Sequence, residues 1–124
     1  MKLITAEKLP APGGHYSQGV QAGKLLFISG QLPFLPGAQG FPDGIQAQII
    51  QAMANVEAVL QAAGAALHHL VNVQIYIVDV DDWPIVNSTY SALMGAHRPA
   101  RAIIPCGPLH HGALVEVSAV AEIE

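Results

Sequence analysis

The stretch Val71-Asn72-Val73-Gln74-Ile75-Tyr76-Ile77 alternates apolar and polar side chains from end to end. That is the period of a strand with one face buried and the other open. Helical periodicity flanks it on both sides. Upstream, Ile45, Ile49, Ala52 or Met53, Val56, Leu60 and Ala63 recur every three or four residues. This spacing predicts a helix that Asp43 caps and Gly64 ends. Downstream, Trp83, Val86, Tyr90 and Leu93 or Met94 form a second buried stripe, with Asp81 or Asp82 as cap and Pro84 in the first turn.

Further out, the chain returns to extended patterns. Residues 16–20 read as a short polar strand, and Gln21-Ala22-Gly23 as a hairpin turn into a strand over 24–29 whose centre is apolar on both faces. Proline and glycine make residues 34–42 a surface loop. Pro99-Ala100-Arg101-Ala102-Ile103-Ile104 enters a strand that breaks at Pro105. Residues 114–123 put Val115, Val117, Ala119, Ala121 and Ile123 on one face, and Leu114, Glu116, Ser118, Val120 and Glu122 on the other. The resulting order, β-β-α-β-α-β-β, predicts an α+β fold in one domain over residues 1–124. It has a mixed sheet with two helices packed on one face.

Composition narrows the function classes. Hydrophobic residues make up 52% of the chain and charged residues 11%, less than half the usual charged share of about a quarter. A domain of this size hides only roughly two-thirds of the surface its unfolded chain exposes. The apolar surplus, including the helix-free sheet face, therefore calls for a cover, and a neighbouring subunit is the economical one. A monomer with an apolar face is the plainer alternative. With a net charge of −4 and five Lys plus Arg, no basic face for nucleic acid can be assembled. The lone Cys106 rules out an internal disulfide framework and suits a reducing compartment. The start of the chain lacks a signal-peptide pattern, and no apolar run approaches the ~20 residues of a membrane span. A soluble, cytoplasmic protein is expected.

Arg101 is the first candidate for chemistry. A guanidinium at the mouth of an apolar strand is costly unless an anion meets it, and its planar fork matches a carboxylate. A structural ion pair with one of nine acidic residues is the alternative. Glu116 is the second. A solvated Glu is the default on a wet face, but Leu114 and Val120 beside it suggest partial cover, where a carboxylate can hold a water or shuttle a proton. Tyr16, Asn87 and a turn at Ser29-Gly30-Gln31 are weaker candidates. Gly30 either admits a ligand to the backbone or is a plain turn glycine, and Asn87 in mid-helix reads as structural. The adjacent pairs His68-His69 and His110-His111 lack the spacing of helical metal sites, so no metal is expected. Cys106, beside Pro105 and Gly107, reads as a buried small hydrophobe.

Taken together, several pieces resemble the RidA family (YjgF, or L-PSP endoribonuclease-like) of enamine/imine deaminases. They are Tyr16-Ser17-Gln18-Gly19, Leu26-Phe27-Ile28-Ser29-Gly30-Gln31-Leu32-Pro33, Asn55-Val56 with Ala62-Ala63-Gly64, Val86-Asn87-Ser88-Thr89-Tyr90, Arg98-Pro99-Ala100-Arg101 and Val115-Glu116-Val117-Ser118-Ala119. The resemblance implies a chorismate-mutase-like fold assembled as a homotrimer, with the sheets forming a central barrel and sites between subunits. It implies cofactor-independent hydrolysis of 2-aminoacrylate-type enamines and their imines to 2-keto acids and ammonia. Arg101 would bind the substrate carboxylate, and Glu116 would position water and relay protons. Tyr16, Gly30 and Asn87 would shape the cleft.

The chain also departs from that family. Ala102-Ile103 stands where many members have Ser-Cys, leaving only the Ile103 backbone as a donor there. Gly14-His15 replaces the usual Gly-Pro, and the loop Pro108-Leu109-His110-His111-Gly112 differs. His15 or His110 is therefore expected in the cleft. An aminomuconate-like or larger 2-imino acid competes with 2-iminopropanoate as substrate. A non-catalytic trimer binding small carboxylates is the second reading, and an endoribonuclease or translation inhibitor the third.

Overall fold

The computed structural model describes residues 1–37 and 40–124, so residues 38 and 39 of the expected loop lie outside the description. Six strands form one sheet: β1 (Lys2–Ile4), β2 (Gly19–Ala22), β3 (Leu25–Gln31), β4 (Leu70–Ile77), β5 (Ala100–Pro105) and β6 (Val115–Glu122). Two helices complete the fold, α1 (Ile45–Ala62) and α2 (Trp83–Met94). The strand order is β1-β2-β3-β6-β4-β5, with β4 and β5 parallel and every other pair antiparallel. The mixed α+β architecture expected from the sequence is thus present.

One sheet face is built from Leu26, Ile28, Val73, Ile75, Ile77, Val115, Val117 and Ala119, all 4% exposed or less. Against it pack Ile49, Met53, Val56 and Leu60 of α1 and Val86 of α2, in one continuous core. The opposite face carries Leu25, Phe27, Gln74, Tyr76, Glu116, Ser118 and Val120, none of them buried. Among the described residues nothing covers that face, and Phe27 is 46% exposed.

The helix ends show which local signals were decisive. Gly64 takes a left-handed φ of 76°. That lets Ala65 N–H donate to Leu60 O at 2.8 Å and Gly64 N–H to Gln61 O at 3.0 Å, which closes α1 by the expected C-terminal motif. Asp43 does not cap the other end. Gly44 occupies the cap position and makes no side-chain bond, so the Asp43 carboxylate stands one residue too early to reach the first-turn amides. Asp82 holds the cap position of α2, also without a side-chain bond. Asp79 instead accepts from Asp81 N–H at 2.9 Å and organises the preceding turn.

Other expectations need correction. β1 was not anticipated, because three residues carry too little pattern. Residues 16–18 precede the strand rather than form it, so Tyr16 is in a loop. The hairpin turn falls at Gly23-Lys24, one step later than expected. Ser29-Gly30-Gln31 belongs to β3 rather than to a turn. Val71 is 42% exposed while Leu70 is buried, because an irregularity between Leu70 and Asn72 resets the alternation. Trp83 is 42% exposed, and of Leu93 and Met94 it is Met94 that is buried; Thr89 joins the buried face of α2. Cys106 is only partly buried.

Candidate functional site

Arg101 pairs with Val73 across the β4–β5 ladder, so its side chain leaves the sheet on the helix side. There it meets α2. Its Nη1 donates to Asn87 Oδ1 at 2.9 Å. Its guanidinium carbon lies 5.1 Å from the Tyr90 ring centre and 5.9 Å from that of Trp83. Helical spacing of four and three residues puts Trp83, Asn87 and Tyr90 on the one stripe that overlooks β5. The partner of Arg101 is thus a neutral amide rather than a carboxylate. Burial pushes the Tyr90 phenol above its usual range, and the Arg101 charge offsets part of that rise. Ile103, two residues along, packs its side chain against the core. β5 is an edge strand, so part of its backbone faces away from β4.

Glu116 pairs with Tyr76 and leaves the sheet on the opposite, uncovered face. The carboxylate lies over Gly30, where the β3–β6 register shifts between Ile28 and Gln31. A Cβ at Gly30 would collide with a Glu116 carboxylate oxygen and stand 3.0 Å from its Cδ. Glycine is therefore required by close approach. Gly30→Ala is expected to swing the Glu116 carboxylate away; if Glu116 takes part in catalysis, turnover then falls about tenfold or more, since small misplacements of a reacting group are costly. The thermal midpoint should change little, because a flexible side chain absorbs the clash. Paired kinetics and calorimetry check this.

Above Glu116 opens a cleft of about 520 Å³, lined by residues 9–14, Tyr16, Ser29, Gly30, Phe34, His110 and His111. A shallower depression holding Tyr76, Cys106 and Leu109 meets it at the same carboxylate. His110 therefore lines the cleft as expected, and His111 joins it, whereas His15 does not. The His111 ring lies 5.8 Å from Phe34 and 6.5 Å from Phe41. Its backbone adopts the left-handed φ of 59°, a conformation uncommon outside glycine.

Buried amides outside the candidate site residues hold the cleft loops. Gln18 accepts from Ala6 N–H and donates to Pro10 O at 3.1 Å. Asn55 donates to Leu32 O and Phe34 O, both at 3.0 Å. Gln48 donates to Pro42 O and accepts from Leu114 N–H. A signal was available. Gln48, Ala52, Asn55 and Val59 are spaced four, three and four, a row alongside the apolar stripe of α1.

The remaining histidines are engaged elsewhere. His68 and His69 stack with ring centres 4.2 Å apart, His69 accepts from Ala66 N–H, and His97 bonds Leu70 O. Among the described residues no group of three or more His, Cys, Asp or Glu stands close enough to hold a metal ion. Likewise, no helix among them is long and apolar enough to cross a membrane.

Two half-sites result. Arg101 with Asn87 lies on the helix side, and Glu116 with Gly30 and Tyr16 on the open side. The Arg101 and Glu116 Cα atoms are roughly 14 Å apart, taking two strand spacings across and three residues along. One chain cannot bring the two side chains together.

Comparison with known proteins bears on what such halves do. The family model for Endoribonuclease L-PSP matches residues 6–123. The 2-iminobutanoate/2-iminopropanoate deaminase of Escherichia coli is 34% identical over 123 residues, covering 97% of this chain and 96% of that protein. RidA from an Antarctic Psychrobacter superposes with a TM-score of 0.95 at 33% identity, over 99% of this chain and 100% of that one. Escherichia coli TdcF with bound serine gives 0.95 at 28% identity, covering both chains fully. High TM-scores and near-complete coverage recur, and the chain belongs to the RidA/YjgF (endoribonuclease L-PSP) family.

Proposed function

We propose that this protein is a 2-iminobutanoate/2-iminopropanoate-type deaminase. In this reading it works in the cytoplasm as a homotrimer, with Arg101 of one subunit facing Glu116 of the next. The observation that carries the reading is Arg101 itself, a guanidinium whose hydrogen-bond partner is a neutral amide. Five N–H donors with one engaged by Asn87 leave a planar fork for a carboxylate. The deaminase activity named for the E. coli relative and the serine bound to TdcF support a small 2-substituted carboxylate as ligand. The uncovered apolar sheet face supports assembly through that face.

The chemistry asks little of the protein. An imine carbon is already electrophilic. Arg101 fixes the carboxylate, and Glu116 accepts a proton from the attacking water and returns one to the departing nitrogen. Water adds to the C=N carbon, the C–N bond of the carbinolamine breaks, and a 2-keto acid and ammonia leave. An enamine enters by taking a proton at its β-carbon. Positioning and proton transfer together account for such a step, with Tyr16, Gly30, Asn87 and the Ile103 backbone shaping the cleft.

The test generates 2-imino acids in place with an amino-acid oxidase or a serine/threonine dehydratase and follows keto-acid release. The wild-type protein should accelerate release well above buffer. No acceleration with any 2-imino acid would defeat the enzymatic reading in favour of a non-catalytic carboxylate binder. A ribonuclease role is disfavoured by the net charge of −4.

A further inference from the structure

Trp83 is the only tryptophan in the chain, and it is 42% exposed at the start of α2. An exposed indole there contributes little to the core. Its ring nevertheless lies within cation–π range of Arg101, as does that of Tyr90 about two turns further along the same stripe. Tyr90 is 6% exposed, and its hydroxyl has no hydrogen-bond partner among the described residues. The ring, and not the hydroxyl, is therefore the part that meets Arg101.

We infer that Trp83 and Tyr90, with Asn87 between them, form an aromatic cradle that holds the Arg101 guanidinium in readiness for an incoming carboxylate. The inference rests on the carboxylate-binding reading of Arg101. A carboxylate partner within the chain would occupy the in-plane N–H donors and neutralise the charge. Aromatic faces hold the cation by their negative quadrupole and occupy none of those donors. Asn87 takes one N–H and fixes rotation about the guanidinium. The flexible arginine stem is thereby ordered before binding, which saves part of the entropy that ordering would otherwise cost at the encounter. Trp83 and Tyr90 are positioning residues: they act through Arg101.

Because Trp83 is unique, its emission reports on the cradle. Titrating the wild-type protein with 2-ketobutyrate should give a saturable change in tryptophan fluorescence. Arg101→Ala, which keeps the indole, should abolish the change. Trp83→Leu should weaken 2-ketobutyrate affinity, measured by calorimetry, about fivefold, and raise KM for the imine in proportion while kcat moves less. Trp83→Phe and Tyr90→Phe, which keep an aromatic face, should return both quantities to within about twofold of wild type.

Unchanged affinity in Trp83→Leu overturns the cradle, as does a silent indole when calorimetry shows 2-ketobutyrate bound. Absence of any 2-ketobutyrate binding also overturns it. Binding with the expected variant pattern but no turnover supports the cradle and removes only the deaminase reading. Since Trp83 is exposed, its variants fold irrespective of how Tyr90 variants behave.

Discussion

Arg101→Ala is expected to lower kcat/KM for 2-imino acids about 10³-fold, the scale of losing a bidentate, charge-assisted carboxylate contact. The loss should fall on kcat as well as KM, because an unanchored carboxylate leaves the imine carbon free to drift from the water. Arg101→Lys should recover only a small part, since an ammonium offers a point charge without the planar fork. The oligomer should survive the alanine change. Arg101 stands on the edge strand β5 and its contacts within the chain are to α2, so trimming it leaves the sheet face argued to be the interface intact. Light scattering beside the kinetic assay separates these effects. Arg101→Ala with near wild-type activity would show that the carboxylate is held elsewhere.

The second large effect is a recovery. Arg101→Ala and Glu116→Gln should each be nearly inactive alone. Unfolded together in equal amounts and refolded, they should regain about a quarter of wild-type activity. In a cyclic trimer each site takes its arginine from one chain and its carboxylate from the next, so one random pairing in four restores both. The reasoning follows from the opposite-face placement of the two residues and the β4 strand between them. Mixed refolding with no recovery, alongside wild-type chains refolding fully in parallel, would overturn a site shared between Arg101 of one chain and Glu116 of the next. Differently tagged chains purified in tandem confirm that mixed trimers formed.

Much of the architecture was legible because hydrophobic period and backbone punctuation agreed. The alternation after Asn72, the α1 stripe and Gly64 each state one local geometry, and each is built as stated. Where the reading slipped, a single residue of register decided the outcome. Gly44 intervenes before α1, and the irregularity at Leu70–Asn72 turns Val71 outward. Helical spacing with Val86 and Tyr90 puts Trp83 on the buried stripe of α2. In the fold it borders a cation instead, a role that depends on β5 passing beneath α2. Arg101, Glu116 and Gly30 were picked out as individuals, but sheet faces cannot be assigned from a list of residues. That the first two stand on opposite faces, and that Gly30 is bare because Glu116 lies over it, needed the strand order. The structural role of the buried amides Gln48 and Asn55 is not legible because polar residues beside an apolar stripe read as surface, and that of Gln18 because a loop polar residue carries no pattern.

β6 follows every other strand in the chain, yet it lies at the centre of the sheet, between β3 and β4. Among the described residues it is the only strand that joins two otherwise separate ribbons, β1-β2-β3 and β4-β5. Each ribbon with its helix can gather early from contacts nearer in sequence. Their strands pair into one sheet only once residues 115–122 have been made and threaded between them, a long-range closure of the kind that slows folding. Glu116 sits at the start of that closing strand. On the ribosome, Glu116, the proposed general base, and the strand that joins the two ribbons therefore emerge in the same short stretch of chain.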